Sequence, residues 1–181
     1  EICGIVWIEG VLKGMGKINL TTMSELNEDQ IRIESSQYAY KRVEDPDKYV
    51  GRYVRAYMKE DDPDKVLALE IVDRKNSVFK LESEDLVPSR VAETQLAYSN
   101  ENGRTKTIKL SDTVNVVYNG EFVPFYGKDD LLAEDAFFTL IDVGCDDVYD
   151  TVIIDKYTQI LVNSVSNGTN SYTVADIDSN T

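Results

Sequence analysis

The sequence contains no histidine. Histidine is the commonest general base in enzymes, the usual partner of a nucleophilic Ser or Cys, and the commonest transition-metal ligand. Its absence removes most histidine-dependent catalytic and metal-binding arrangements. The two cysteines, Cys3 and Cys145, are too few for a zinc site built from cysteines alone. Their number allows one disulfide, although we expect both to be unpaired and to act as small apolar residues.

Long apolar runs and a recognisable signal peptide are also missing. No stretch approaches the roughly 18 apolar residues of a membrane-spanning helix, so we expect no membrane insertion. The chain begins EICGIVWIEG rather than with Met, and this stretch is typical of the inside of a strand. We therefore expect a processed product or an internal fragment, with the native amino terminus upstream of Glu1.

Basic residues are scarce, with 19 Lys and Arg against 33 Asp and Glu and a formal net charge of −14. Such a surface repels phosphate, which argues against nucleic acid and against anionic membranes as partners. It favours solubility, association with cations, or docking onto a basic protein. The length of 181 residues suits one large domain or two domains of about 90 residues.

Alternating apolar and polar residues, typical of β-strands, dominate what is present. Asn119–Gly120 separates two alternating runs and predicts a type I′ hairpin turn. Gly51 predicts a bulge or a site of close approach, and DRKNS (73–77) indicates a further hairpin turn. The predicted strands lie within 3–12, 17–22, 30–43, 49–60, 65–86, 98–110, 114–125, 137–142, 149–157, 159–165 and 171–177.

Helix signals are few, and the clearest covers only 128–137. The predicted fold class is mainly β, with two small antiparallel barrel- or sandwich-like units in tandem and few short helices. We place an N-terminal β unit at 1–90, a linker or boundary region at 91–105, and a C-terminal β unit at 106–181. A similar order of strands and acidic turns in 49–86 and 137–165 supports two units.

The acidic segment DVGCDDVYD (142–150) is the main candidate site. An EF-hand-type loop starting at Asp142 would lack a side-chain ligand at Gly144, its glycine at position 6 and its acid at position 12. A weak calcium site formed by Asp142, Asp146 and Asp150 with backbone carbonyls remains open. The alternatives are a hairpin turn whose aspartates accept backbone N–H groups, and a pair of catalytic carboxylates.

Tyrosine is plentiful, with 11 residues. Tyrosines at strand spacing usually lie half-buried with the hydroxyl group reaching solvent. A second interpretation is an aromatic face that binds a glycan or a partner protein. The residues in question are Tyr38, Tyr40, Tyr49, Tyr53 and Tyr57.

The segments VNVVYNGEFV (114–123) and FFTLIDVGCDDVYDTVIIDKYTQILVNSV (137–165) resemble a β-rich module. Such modules occur in surface and S-layer-type proteins of Firmicutes and in virion structural proteins of their phages. Segments 49–72 and 78–86 resemble the part that precedes this pattern. The resemblance implies a non-catalytic module of a large assembly. The acidic loop departs from the family pattern, because Gly144 and Asp147 replace a ligand and a glycine.

We therefore expect a structural and interaction module of a large multi-protein assembly. The first candidate for this assembly is a phage virion, in its tail or baseplate region. The module would self-associate or bind other structural proteins through strand edges such as 114–125 or 171–177. No cofactor is expected beyond weak calcium. The alternative is a calcium-assisted cell-surface or S-layer-associated binding domain, located on the bacterial surface. A carboxylate-dependent hydrolase is a third hypothesis.

Overall fold

The computed structural model describes residues 4–22, 25–41, 45–157, 162–167 and 172–176, the last two segments by their backbone alone. The strands are β1 (Ile5–Met15), β2 (Ile18–Asn19), β3 (Gln30–Ile33), β4 (Ser36–Ala39), β5 (Tyr53–Lys59), β6 (Asp62–Ile71), β7 (Asn76–Glu82), β8 (Gln95–Ser99), β9 (Thr105–Tyr118), β10 (Glu121–Val123), β11 (Ala136–Val143), β12 (Val148–Lys156), β13 (Val162–Asn167) and β14 (Tyr172–Asp176). Short 3₁₀ helices occupy Pro46–Lys48, Asp73–Lys75, Ser83–Asp85, Pro88–Arg90 and Lys128–Leu132. The fold is mainly β, as predicted.

The first sheet closes on itself through the long strand β1. The N-terminal part of β1 pairs with β5, and its C-terminal part pairs with β3. Strand β3 pairs with β4, and β6 pairs with β5. One parallel pair, Ala39 with Lys65, joins β4 to β6 and completes a ring of five strands. Closure of the ring removes sheet edges that would otherwise need partners. The ring also encloses apolar side chains of its own strands.

The second sheet repeats this arrangement. Strand β9 pairs with β8 and, in parallel, with β12, while β11 lies between β12 and β7. A single bridge between Leu86, which follows the 3₁₀ helix after β7, and Tyr98 of β8 closes the remaining gap. The neighbouring strands of the first ring are, in order, β1, β3, β4, β6 and β5, and those of the second ring are β7, β8, β9, β12 and β11. If the strands of each ring are numbered along the chain, both orders read first, second, third, fifth, fourth. In both, the third and fifth strands are parallel. Small closed or partly open β-barrels host many unrelated functions.

Two sequence-based expectations change with this topology. The segment DRKNS (73–77) is not a hairpin turn, because β6 pairs with β5 whereas β7 crosses into the second sheet. The division of the chain also differs, since 76–82 and 95–99 form strands of the second sheet rather than the end of the first unit and a linker. The hairpins β5–β6 and β11–β12 are the fourth and fifth strands of their rings, which accounts for the similarity between 49–86 and 137–165.

Two apolar clusters form the core. One fills the second ring and includes Val116, Leu140 and Val152. The other fills the first ring and extends onto the outer face of the second sheet, where it includes Val117, Ile141 and Ile153. Neighbouring residues of β9, β11 and β12 thus point into different clusters, because successive side chains of a strand point to opposite faces. Over these three central strands, the second sheet is buried on both faces.

Local turn predictions are confirmed where they rest on glycine. Asn119 has a φ of 48° and Gly120 a φ of 79°, as a type I′ turn requires. Gly51 has a φ of 82° and approaches Thr151 of the second sheet closely. In the described ranges, no helix is long and apolar enough to cross a membrane.

Candidate functional site

The acidic loop between β11 and β12 is organised around the buried carboxylate of Asp142. This side chain lies at the end of β11 and is only 1% exposed. Its Oδ1 accepts hydrogen bonds from the backbone N–H groups of Cys145 (3.0 Å) and Asp146 (3.3 Å). Its Oδ2 accepts from the N–H of Asp147 at 2.9 Å. One carboxylate therefore holds three successive N–H groups of the loop.

The other two predicted ligands also accept backbone hydrogen bonds. Asp150 Oδ2 accepts from the N–H of Val143 at 2.8 Å, and Asp146 Oδ1 accepts from the N–H of Val148 at 3.1 Å. These bonds are those of the capped-turn interpretation. Over the described residues, no group of three Asp, Glu, Cys or His side chains is placed to hold a metal ion. Calcium binding by Asp142, Asp146 and Asp150 stays a prediction.

The backbone of this loop adopts a conformation in which its N–H groups point towards the Asp142 carboxylate. Gly144, Cys145 and Asp147 all have positive φ, at 113°, 60° and 65°. Cys145 is exposed and free, and its Sγ lies 3.9 Å from the backbone oxygen of Arg74. Cys3 lies outside the described residues. The loop conformation is thus the one that lets Asp142 reach three donors.

Burial raises the pKa of Asp150, and the negative charges of Asp142 and Asp146 add to this effect, while the Val143 N–H opposes it. A raised pKa means that the folded state binds the proton more tightly than the unfolded state between the two pKa values. The ionised carboxylate of Asp150 therefore opposes folding at neutral pH, and this opposition disappears as pH falls through the raised pKa.

We expect this effect to be visible in the variant Asp150→Asn, which cannot ionise. The free energy of unfolding of the wild type, minus that of the variant, should rise as pH falls from 7 towards 4. Urea denaturation at several pH values measures this difference. A difference that stays constant or falls over the same range would contradict a raised pKa at Asp150.

The predicted aromatic face is only partly formed by the tyrosines. Tyr40 and Tyr49 are buried in the first apolar cluster and serve packing. Tyr53 and Tyr57 are half-buried on the outer face of β5. The residue that sequence reasoning missed is Trp7, whose side chain is 56% exposed. Its alternation with Glu9 on β1 was the available signal, because it places both side chains on the outer face.

Trp7 is surrounded by a charged network on strands β1, β5 and β6. The Arg55 guanidinium lies over the Trp7 ring, 4.9 Å from its centroid. It donates to Glu9 Oε1 from Nε (2.8 Å) and Nη2 (2.7 Å), and its Nη1 lies 3.7 Å from Glu70 Oε2. The Tyr57 hydroxyl donates to the same Glu70 oxygen. Trp7, Glu9, Arg55, Tyr57 and Glu70 together are named the Trp7 platform.

A second exposed aromatic residue follows the edge strand β10. Strand β10 pairs with β9 and with no other strand of the described ranges. Two residues beyond it, Phe125 is 92% exposed. The next residue anchors the loop, because the Tyr126 hydroxyl donates to the backbone oxygen of Glu93 at 2.8 Å. Phe125 is therefore carried on a tethered loop and projects from the end of the second sheet.

The predicted contact edges differ in their availability. In 114–125, residues Val116–Tyr118 of β9 pair on both sides, with β10 and with β12, so only β10 is an edge. In 171–177, strand β14 pairs with β13 in a separate two-stranded sheet. The stretch 114–125, which is predicted to be one exposed edge, therefore contains an inner strand (β9) and a short edge strand (β10).

Comparison of the chain with protein-family models, with curated proteins and with solved structures finds no match. The site's own geometry therefore carries the functional argument.

Proposed function

We propose that this chain is a non-catalytic structural and interaction module of a large multi-protein assembly, with a phage virion, in its tail or baseplate region, as the first candidate. The resemblance of 114–123 and 137–165 to virion and surface modules supports this proposal. The hydrogen bonds of the loop carboxylates support it as well. Asp142, Asp146 and Asp150 each accept from backbone N–H groups and do not form a pair that shares a proton, as two catalytic carboxylates would.

The observation that carries the proposal is the edge strand β10 followed by the projecting Phe125. An edge strand offers unpaired backbone groups to a strand of a neighbouring subunit. An exposed aromatic side chain next to that edge supplies the apolar anchor that commonly dominates binding energy at such contacts. The two rings pack through a shared apolar cluster, so the edge and Phe125 are presented on a rigid body.

We expect the purified chain to self-associate with increasing concentration, and the variant Phe125→Ser to weaken this association at least about tenfold. Truncating an aromatic hot spot costs about 2 kcal/mol or more, and about 1.4 kcal/mol corresponds to a factor of ten. Sedimentation velocity over a wide concentration range measures the association. Trp7→Ala is the matched control, since it removes an exposed aromatic from the other sheet and should leave association unchanged.

Thermal unfolding of the same samples with calcium and with EDTA separates the proposal from its alternative. A cell-surface domain that uses the acidic loop for calcium would gain stability on adding calcium, in proportion to ligand occupancy. A chain that stays monomeric at all concentrations and gains stability with calcium would replace the assembly proposal by the surface-domain alternative.

A further inference from the structure

The outer face of β1, β5 and β6 carries the Trp7 platform in register. Trp7 lies opposite Tyr57, Glu9 opposite Arg55, and Arg55 opposite Glu70. Neighbouring side chains on one face of a sheet are close enough to interact directly. The five side chains therefore form one continuous surface across three strands of the first ring.

The geometry makes Trp7 a pre-formed stacking surface. The Arg55 guanidinium covers part of the indole, and it is itself held by Glu9 and Glu70. The ring thus has a fixed support, while more than half of the side chain is open to solvent. A side chain already held in place loses little conformational entropy when a ligand stacks on it.

We propose that the Trp7 platform binds a neutral pyranose unit of an oligosaccharide. The apolar C–H face of a pyranose ring stacks on an exposed aromatic ring, which is apolar on its face. Its hydroxyl groups donate hydrogen bonds to ionised carboxylates, which only accept. Glu70 lies beside the ring with its side chain 54% exposed and offers such an acceptor, and the Tyr57 hydroxyl lies next to it.

The size of the exposed apolar surface selects a small ligand rather than a protein. An aromatic side chain presents about 150–250 Å², so a Trp7 that is 56% exposed offers roughly 80–140 Å². Ile5, two residues before Trp7 on the same face of β1 and 36% exposed, extends the apolar surface only modestly. Each partner in a stable protein interface contributes about 800 Å² of polar and apolar surface together, which the apolar part of the platform does not supply by itself. One or two sugar rings match the smaller area.

Charge selects a neutral ligand rather than an anionic one. Two carboxylates, Glu9 and Glu70, surround the single cation Arg55, so the platform carries one net negative charge. The whole chain adds a formal charge of −14. Sulfated or phosphorylated ligands are repelled by this field, whereas a neutral sugar meets no such barrier. The platform belongs to the other sheet from β10 and Phe125, so this inference goes beyond the proposed assembly function.

Trp7 is the one tryptophan of the chain, so its fluorescence reports on the platform directly. We expect cellohexaose, chitohexaose or mannohexaose to shift the emission and protect it from acrylamide quenching, with a Kd on the order of 1 mM or below. A heparin hexasaccharide should give no response. Calorimetry should show binding lost in Trp7→Ala, weakened several-fold in Glu70→Gln, and unchanged in Phe125→Ser. Thermal unfolding checks that each variant folds.

The proposal is overturned if none of the three neutral hexasaccharides changes the emission, if a folded Trp7→Ala still binds, or if heparin binds as well as they do. Association of the same samples, measured by sedimentation, tests the assembly function separately. Loss of sugar binding with intact association would leave that function standing, and the reverse result would leave the sugar site standing.

Discussion

Replacing Gly51 by Ala is expected to lower the free energy of unfolding by about 2–5 kcal/mol. Gly51 has a φ of 82°, a conformation that costs a residue with a Cβ atom about 1–2 kcal/mol. The new Cβ would also lie 2.8 Å from Thr151 Cγ2 and 2.9 Å from Thr151 Oγ1. Thr151 is 1% exposed on the inner strand β12, and overpacking a core site costs about a further 1–3 kcal/mol.

Urea denaturation of the two variants Gly51→Ala and Gly103→Ala measures this effect. Gly103 has a similar φ of 70°, but nothing lies within 4 Å of the position its Cβ would take. It should therefore lose only the backbone contribution of about 1–2 kcal/mol. Equal losses in the two variants would show that the contact between Gly51 and Thr151 contributes nothing. Because this contact joins the two sheets, the Gly51 variant is also where separate unfolding of the rings should first appear.

Replacing Asp142 by Ala is expected to cost about 2–3 kcal/mol, because hydrogen bonds to a charged group contribute more than neutral ones and three donors lose their acceptor together. For a chain of this size, the midpoint of thermal unfolding should fall by roughly 5–10 °C. Differential scanning calorimetry measures the change.

Asp146→Ala is the matched control for this second prediction. Asp146 belongs to the same loop but accepts one hydrogen bond, from the exposed turn at Val148. It should cost about 0.5–1.5 kcal/mol. If instead calcium stabilises the wild type and both variants lose that gain, the carboxylates act as ligands, and the capped turn is not their main role.

Much of the local structure could be predicted from the sequence, since it depends on neighbouring residues. The turn at Asn119–Gly120 requires two positive φ angles, which this pair adopts at low cost. The strand segments follow from apolar residues at every second position, and β5 and β11 are examples. The hairpin β11–β12 follows from two such runs on either side of an acidic turn.

Long-range pairing could not be predicted in the same way. The period of a strand does not reveal its partner. The sequence therefore predicts β7 beside β6, whereas the structure pairs it with β11. Both parallel pairings, β4 with β6 and β9 with β12, join strands far apart in the chain. Loop closure over such distances is decided by the burial of whole faces, and no short segment carries that information.

The candidate sites show the same division. Asp142 was recognisable as part of an acidic loop, but only the fold shows that it is buried and holds three N–H groups, whereas Asp146 and Asp150 each hold one. The alternation of Trp7 with Glu9 places the indole on the outer face of β1, but only the fold shows that more than half of the side chain is exposed.

The sequence by itself determined a mainly β protein with a strongly acidic surface, a glycine-dependent close approach at Gly51 and a turn at Asn119–Gly120, since composition and short-range stereochemistry act within a few residues. The tertiary structure alone decided that two rings share one connectivity, that Gly51 meets Thr151, and that Arg55 supports an exposed Trp7. Those outcomes depend on which faces are buried together, and burial is a property of the whole chain.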